Sequence, residues 1–226
     1  MCSYSQEPYL LEGDGLAHCP LRGVLSFHPI VWGGRKERSF YELGEVIMST
    51  HTINGVTLEL LQGDIVKVQA DAIVNAANTW LAGGSGVDGA IHRAGGTEIM
   101  AECRKIGGCP TGSAVATTAG KLKAKYVFHA VGPIYSGSDE DEWLLKSAYQ
   151  TCLALAEQHK LESMAFPSLS TGVYGYPLDL AAPVALGTII EHIRKPTSLR
   201  RVTMVLFGDS AYRAYEQALA RLLARS

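Results

Sequence analysis

From Val56 onward, apolar and polar residues alternate between two kinds of pattern. Val56 to Leu61, Asp71 to Asn75, Ala114 to Thr118, Tyr126 to Val131, Met164 to Leu169 and Arg201 to Phe207 are short runs with β-branched, aromatic or continuous apolar content. Such runs predict strands. Between them, apolar residues recur three and four apart. Gly86 to about Ile106 predicts one helix, entered through a glycine-rich loop. Asp139 to His159 predicts another, with Leu145, Tyr149, Cys152 and Ala156 on one face. Its acidic first turn, Asp139 to Glu142, suits the positive end of a helix dipole. Leu178 to Arg194 repeats the spacing through Leu186, Ile189, Ile190 and Ile193. A last helix, capped by Asp209 or Ser210, carries Tyr212, Tyr215, Leu219 and Leu222 on one stripe. Strands alternating with helices imply an α/β fold with a sheet covered on both faces. Ligands then meet the carboxyl ends of the strands.

Residues 1 to about 50 show no sustained period. Glycines and prolines interrupt them, and Arg35 to Arg38 is a short charged run. The expectation is a poorly ordered or loosely attached extension, with the domain itself over residues 53 to 226. Met48 opens the stretch leading into the first predicted strand, which makes it a second candidate for the start of the protein.

Composition narrows the function. Hydrophobic residues make up 47% of the 226 residues and charged ones 19%, enough for the full core of a globular domain. The net charge of −2 gives no basic face for generic nucleic-acid binding. Any nucleotide must be held by backbone and pocket chemistry. No apolar run is long enough to cross a membrane, and no signal-peptide pattern opens the chain. The expectation is a cytoplasmic monomer. Five cysteines, Cys2, Cys19, Cys103, Cys109 and Cys152, form no CxxC pair. Cys103 and Cys109 raise a disulfide or metal site, but the nearby histidine spacing does not suit zinc. Free thiols, no metal and no cofactor are expected.

The densest chemistry lies between Asp71 and Arg93. A buried strand runs into Asn75 and Asn78, then a loop with Gly83, Gly84 and Gly86, then a helix bearing Asp88 and His92. Glycines let backbone N–H groups approach an anion, and a helix start adds partial positive charge. This spacing is neither a P-loop nor the dinucleotide GxGxxG. Asn75 and Asn78 can bind ribose hydroxyls or simply close a turn. Asp88 can act on a ligand or compensate the helix dipole. A second loop, Pro167 to Pro177, carries Ser170, Thr171, Gly172, Val173 and Tyr174, again between strand and helix. Two such cradles point to a diphosphate. Asp64, in Gln62-Gly63-Asp64-Ile65, can accept from an exocyclic amine or make a turn. Phe207 can stack on a base or fill the core. His92 lies one helical turn after Asp88 and shares its face. His129, like His92, has structural and catalytic readings.

These residues closely resemble the macrodomain family, in its MacroD-type branch. The matching segments are Gly63-Asp64-Ile65, Asp71 to Asn78, Ser85-Gly86-Val87-Asp88-Gly89, Ile91 to Gly96, His129 to Pro133, and Phe166 to Gly175. The resemblance covers about residues 53 to 226. It implies a three-layer α/β/α sandwich around a mixed, largely parallel sheet, with ADP-ribose at its crest. Carried over by position, Asp64 holds the adenine amine, Ile65 helps through its backbone and Phe207 flanks the base. Gly84, Ser85, Gly86 and Val87, with Ser170, Thr171, Gly172, Val173 and Tyr174, wrap the diphosphate. Asn75, Asn78 and Asp88 surround the distal ribose, with His92 beside them. The implied activity is metal-independent cleavage of the ester joining ADP-ribose to Asp or Glu side chains of mono-ADP-ribosylated proteins. Deacetylation of O-acetyl-ADP-ribose is the small-molecule counterpart. A non-catalytic ADP-ribose reader and an ADP-ribose 1″-phosphate phosphatase are the alternatives. Ser85 stands where the family pattern has glycine. Serine fits there at negative φ and is strained at positive φ.

Overall fold

The computed structural model describes residues 47–224. In chain order the elements are β1 (Met48–Ile53), β2 (Val56–Gln62), β3 (Ala72–Ala76), α1 (Gly86–Gly95), α2 (Thr97–Ile106), β4 (Ser113–Thr118), β5 (Tyr126–Val131), α3 (Asp139–Gln158), β6 (Ser163–Phe166), α4 (Leu178–Ile193), β7 (Arg201–Leu206) and α5 (Asp209–Ala224). One turn of 3-10 helix follows β2 at Ile65–Lys67. The strands form a single sheet in the order β1-β2-β7-β6-β3-β5-β4. From β2 to β5 neighbouring strands run parallel, and β1 and β4 lie antiparallel at the edges. The sheet is therefore mixed and largely parallel, as the resemblance implies.

Each strand divides its side chains between two cores because successive Cβ atoms point to opposite faces. On β3, Ala72 and Val74 face the core built with Tyr149 of α3, Ile189 of α4 and Tyr215 of α5. Ile73 faces the core built with Ile91 of α1 and Ile99 and Cys103 of α2. On β5, Phe128 and Ala130 go one way, Val127 and Val131 the other. With helices on both faces, the inner strands have no solvent side, so they read as nearly continuous apolar runs.

Three boundaries differ from expectation. Residues 48–53, of which 48–50 were assigned from the sequence to a loose extension, form β1. It pairs with β2 from Met48↔Leu61 to Ile53↔Val56. Asn54 and Gly55 join them at φ 49° and 80°, the left-handed pair that a two-residue hairpin turn requires. The rest of the predicted extension lies outside the described residues. The single helix predicted from Gly86 to Ile106 is two, because Gly96 sits at φ 91°, ψ −173°. Only glycine adopts that conformation readily. The strand predicted from Met164 to Leu169 ends at Phe166, before Pro167, which has no N–H to donate.

Two glycine substitutions should separate backbone strain from backbone entropy. Gly96→Ala should destabilise by about 1–3 kcal/mol, since its φ and ψ exclude a Cβ. Gly187 lies inside α4, where an added Cβ meets nothing within 4 Å. Gly187→Ala should stabilise by about 0.5–1 kcal/mol. Urea unfolding of both variants measures the two signs.

Candidate active site

The parallel strands all end at one crest, and the loops that follow them collect there. A cavity of about 300 Å³ opens between the loops after β3 and β6. Asn78 and Gly84 to Asp88 line one wall, and Ser168 to Ser170 with Gly172 to Tyr174 the other. Ala130 and Gly132, at the end of β5, also line it.

The first wall is the start of α1. Ser85 is its N-cap residue, at φ −99° and ψ −174°, with no side-chain capping bond. Extended backbone suits serine, so its replacement of glycine introduces no strain. The first N–H groups of a helix have no acceptor within it. Here they sit at the cavity, as an anion cradle requires. Asp88 is in this first turn and is buried. Its Oδ1 accepts from Asn75 Nδ2 at 2.6 Å and lies 3.3 Å from His92 Nε2. Its Oδ2 is buried without a protein partner. The carboxylate is thus held through one oxygen, while the other is buried without a partner in a residue that lines the cavity.

Asn75 and His92 were expected against the ligand. Neither lines the cavity: Asn75 is fully buried behind Asp88, and His92 braces the same carboxylate. Asn78 does line it. Its Nδ2 donates to Gly83 O at 2.9 Å and its Oδ1 accepts from Ala82 N at 3.2 Å. It therefore shapes the glycine-rich loop as well.

The second wall is built before any ligand arrives. Thr171 Oγ1 donates to Ser168 O at 3.1 Å, and Ser168 Oγ shares a hydrogen bond of 2.8 Å with Tyr215 Oη. Tyr149 Oη accepts from Leu169 N at 3.2 Å and donates to Pro167 O at 3.3 Å. Burial raises the pKa of both phenols and keeps them protonated. Gly175 N donates to Gly172 O and Tyr176 N to Ser170 O, which closes the loop. Ser170 is buried at φ 64°, and its Oγ has no protein partner. Across from it, a Cβ on Gly132 would lie 2.2 Å from that Oγ. Only glycine at 132 lets the serine occupy this place.

Asp64, Ile65 and Phe207 do not line this cavity. They follow β2 and β7, whose ends are joined by Gly63 N to Leu206 O at 3.0 Å. Asp64 Oδ1 accepts from Val66 N at 3.2 Å, while the Ile65 side chain packs in the core. Phe207 is 84% exposed, so its ring is not a core filler. The crest therefore carries, in strand order, Asp64 and Phe207, then the Ser170 loop, then the Asn78 to Asp88 loop.

The architecture has clear relatives. Residues 74–185 match the macro domain family. A macro domain-containing protein of Cupriavidus necator is 49% identical over 174 residues, covering 74% of this chain and 100% of that protein. The chain belongs to the macro domain family. O-acetyl-ADP-ribose deacetylase 1 of Pantoea vagans is 49% identical over 167 residues, covering 72% of this chain and 98% of that protein. The Oceanobacillus iheyensis macrodomain solved with ADP superposes with a TM-score of 0.78 at 40% identity, over 80% of this chain and 99% of that one.

Behind its cavity this macro domain holds a polar group that sequence spacing did not disclose. His92, Cys103 and His129 each bring a donor atom within 4.8 Å of the others. His129 spends Nδ1 on Asn75 at 3.1 Å and Nε2 on Thr117 Oγ1 at 2.9 Å. Cys103 Sγ packs 3.6 Å from that Nε2. With both ring nitrogens occupied, the group is hydrogen-bonded core and we do not assign it as a metal centre. Cys103, Cys109 and Cys152 are buried free thiols. Burial, then the charge of Asp88, pushes the Cys103 thiol up to about 11, so it is no nucleophile. Among the described residues no helix is long and apolar enough to cross a membrane.

Burial, and secondarily His92, lowers the His129 pKa from 6.5 to about 3. Between those values the unfolded chain binds a proton that the folded one refuses. Stability from this residue is therefore complete above the unfolded value and declines as pH falls toward the folded one. The stability gap between wild type and His129→Phe should narrow between pH 7 and about pH 4. Urea unfolding at the two pH values tests this, and a constant gap counts against it.

Proposed function

We propose that this macro domain binds ADP-ribose and hydrolyses the ester linking it to an Asp or Glu side chain, and that it deacetylates O-acetyl-ADP-ribose. One observation carries the reading: Asp88 holds a buried, unpartnered Oδ2 at a cavity walled by two N–H-rich loops. An anion cradle alone would serve a reader. A carboxylate with a spare oxygen beside it serves a reaction.

The spacing of the crest supports this ligand. From β2 to β3 there are three inter-strand steps, about 14 Å in all. Adenine would rest by Asp64 and Phe207, the diphosphate on the Ser170 loop and the start of α1, and the distal ribose by Asn78 and Asp88. The deacetylase name of the Pantoea relative and the ADP-ribose complex of a Trypanosoma brucei macrodomain at 39% identity agree with it.

In this mechanism a water held by Asp88 Oδ2 attacks the acyl carbon of the ester. The bond from that carbon to the ribose oxygen breaks. The ribose oxygen leaves with a proton, giving ADP-ribose and a free carboxylate or acetate. A carboxylate is a weak base near neutrality, so positioning contributes more than proton abstraction. The N–H groups of the cradle hold the diphosphate still while charge moves at the ester.

Asp88→Ala should lower hydrolysis of carboxylate-linked ADP-ribose by about 100-fold or more. ADP-ribose affinity should stay near wild type, read by calorimetry. Full turnover in that variant would overturn the role given to Asp88, and no turnover in wild type with intact binding would leave a reader instead. Gly132→Ala should weaken ADP-ribose binding roughly tenfold, because the new methyl displaces Ser170.

A further inference from the structure

Asn75 and His129 stand directly opposite one another in the parallel pair of β3 and β5. His129 also stands opposite Val115 of the antiparallel β4. Thr117 lies two residues along β4 and so shares the Val115 face. Three polar side chains thus form a line across three neighbouring strands. All three are buried. The line runs from the back of Asp88 to the edge of the sheet.

Counting hydrogens gives this line one direction. A carboxylate only accepts, so the nitrogen of the Asn75 amide must face Asp88. Its two hydrogens go to Asp88 Oδ1 at 2.6 Å and to His129 Nδ1 at 3.1 Å. Nδ1 must then be bare, and Nε2 carries the ring proton. Nε2–H donates to Thr117 Oγ1 at 2.9 Å, and that hydroxyl donates to Thr118 O at 3.0 Å. A protonated imidazole, or the tautomer with its proton on Nδ1, would set N–H against N–H at Asn75. The deep burial that keeps the ring neutral agrees with this assignment.

We infer that His129 is a positioning residue, a fixed neutral acceptor that locks the Asn75 amide and through it aims Asp88 Oδ2 at the substrate. The inference deepens the hydrolase reading and rests on it for its kinetic consequences. Without the acceptor, Asn75 is free to rotate its amide, and Asp88 loses the short bond that sets its rotamer. Asp88 would remain present but loosely aimed. Ligand binding relies on the two cradles and would be spared.

The test uses the full chain and two independent readouts. Imidazole nitrogen NMR of the wild-type protein should show His129 protonated on Nε2 and bare on Nδ1, unchanged from about pH 5 to pH 8. In kinetics, His129→Phe should lower kcat for ester hydrolysis about tenfold or more, with ADP-ribose affinity within about twofold of wild type. His129→Asn retains an acceptor near the Nδ1 position and should recover most of the loss. If His129→Phe does not fold, Thr117→Val removes only the acceptor of Nε2–H. It should mix the two tautomers and lower kcat by a smaller factor. A proton on Nδ1, wild-type kcat in His129→Phe, or equal loss of kcat and affinity would each overturn the assignment. If wild type hydrolyses no ester, the hydrolase reading falls, and the tautomer spectrum still decides the hydrogen-bond line by itself.

Discussion

The hydrogen bond from Asn75 to Asp88 is the constraint around which this crest is organised. It ties the last turn of a central strand to the first turn of α1 at 2.6 Å. A buried carboxylate is tolerated only when donors surround it. Asn75 supplies one to Oδ1, and His92 Nε2 lies 3.3 Å from the same oxygen. With both ends fixed, the ten-odd residues between must loop out and return. That forces the glycines and the Asn78 bridge to Gly83, and the resulting loop is one wall of the cavity. The same bond decides which carboxylate oxygen is spent and which is offered.

The opposite wall depends on a different device. Two buried phenols, Tyr149 and Tyr215, hold the loop after β6 from beneath. Ser170 takes up a left-handed conformation unusual for a residue with a Cβ. Buried hydrogen bonds around it over-determine that shape. Both walls are therefore set by core interactions, not by surface loops, which is how a site keeps its geometry before a ligand arrives.

Much of this was legible in the chain. The apolar runs located the inner strands to within a residue, apart from the end of β6, because strands covered on both faces show no alternation to misread. The loops at Asn78 to Asp88 and Ser170 to Tyr174 announced themselves through glycine and hydroxyl content between strand and helix. β1 carried its signal too, in Asn54-Gly55, yet its residues are half exposed and polar, so no apolar period marked it. The break at Gly96 was masked because apolar spacing continues across it. The Asn75–His129–Thr117 line was hidden for a deeper reason. Its members are adjacent only through the register of β3, β5 and β4, and no spacing along one chain encodes strand order. Asn75 and His92 lie one layer further from the cavity than expected.

The pairing of β2 with β7 has a consequence in time. Thr57 lies beside Arg201 and Gln62 beside Leu206, so segments from opposite ends of the domain pair as the second and third strands of the sheet. Contacts this distant along the chain form slowly, because a long loop must close before they return anything. Asp64 and Phe207 become neighbours only when that strand pair zips. The crest is thus incomplete until the last strand docks, and a half-made domain on the ribosome lacks one end of it. An intact crest would report that the chain has finished folding.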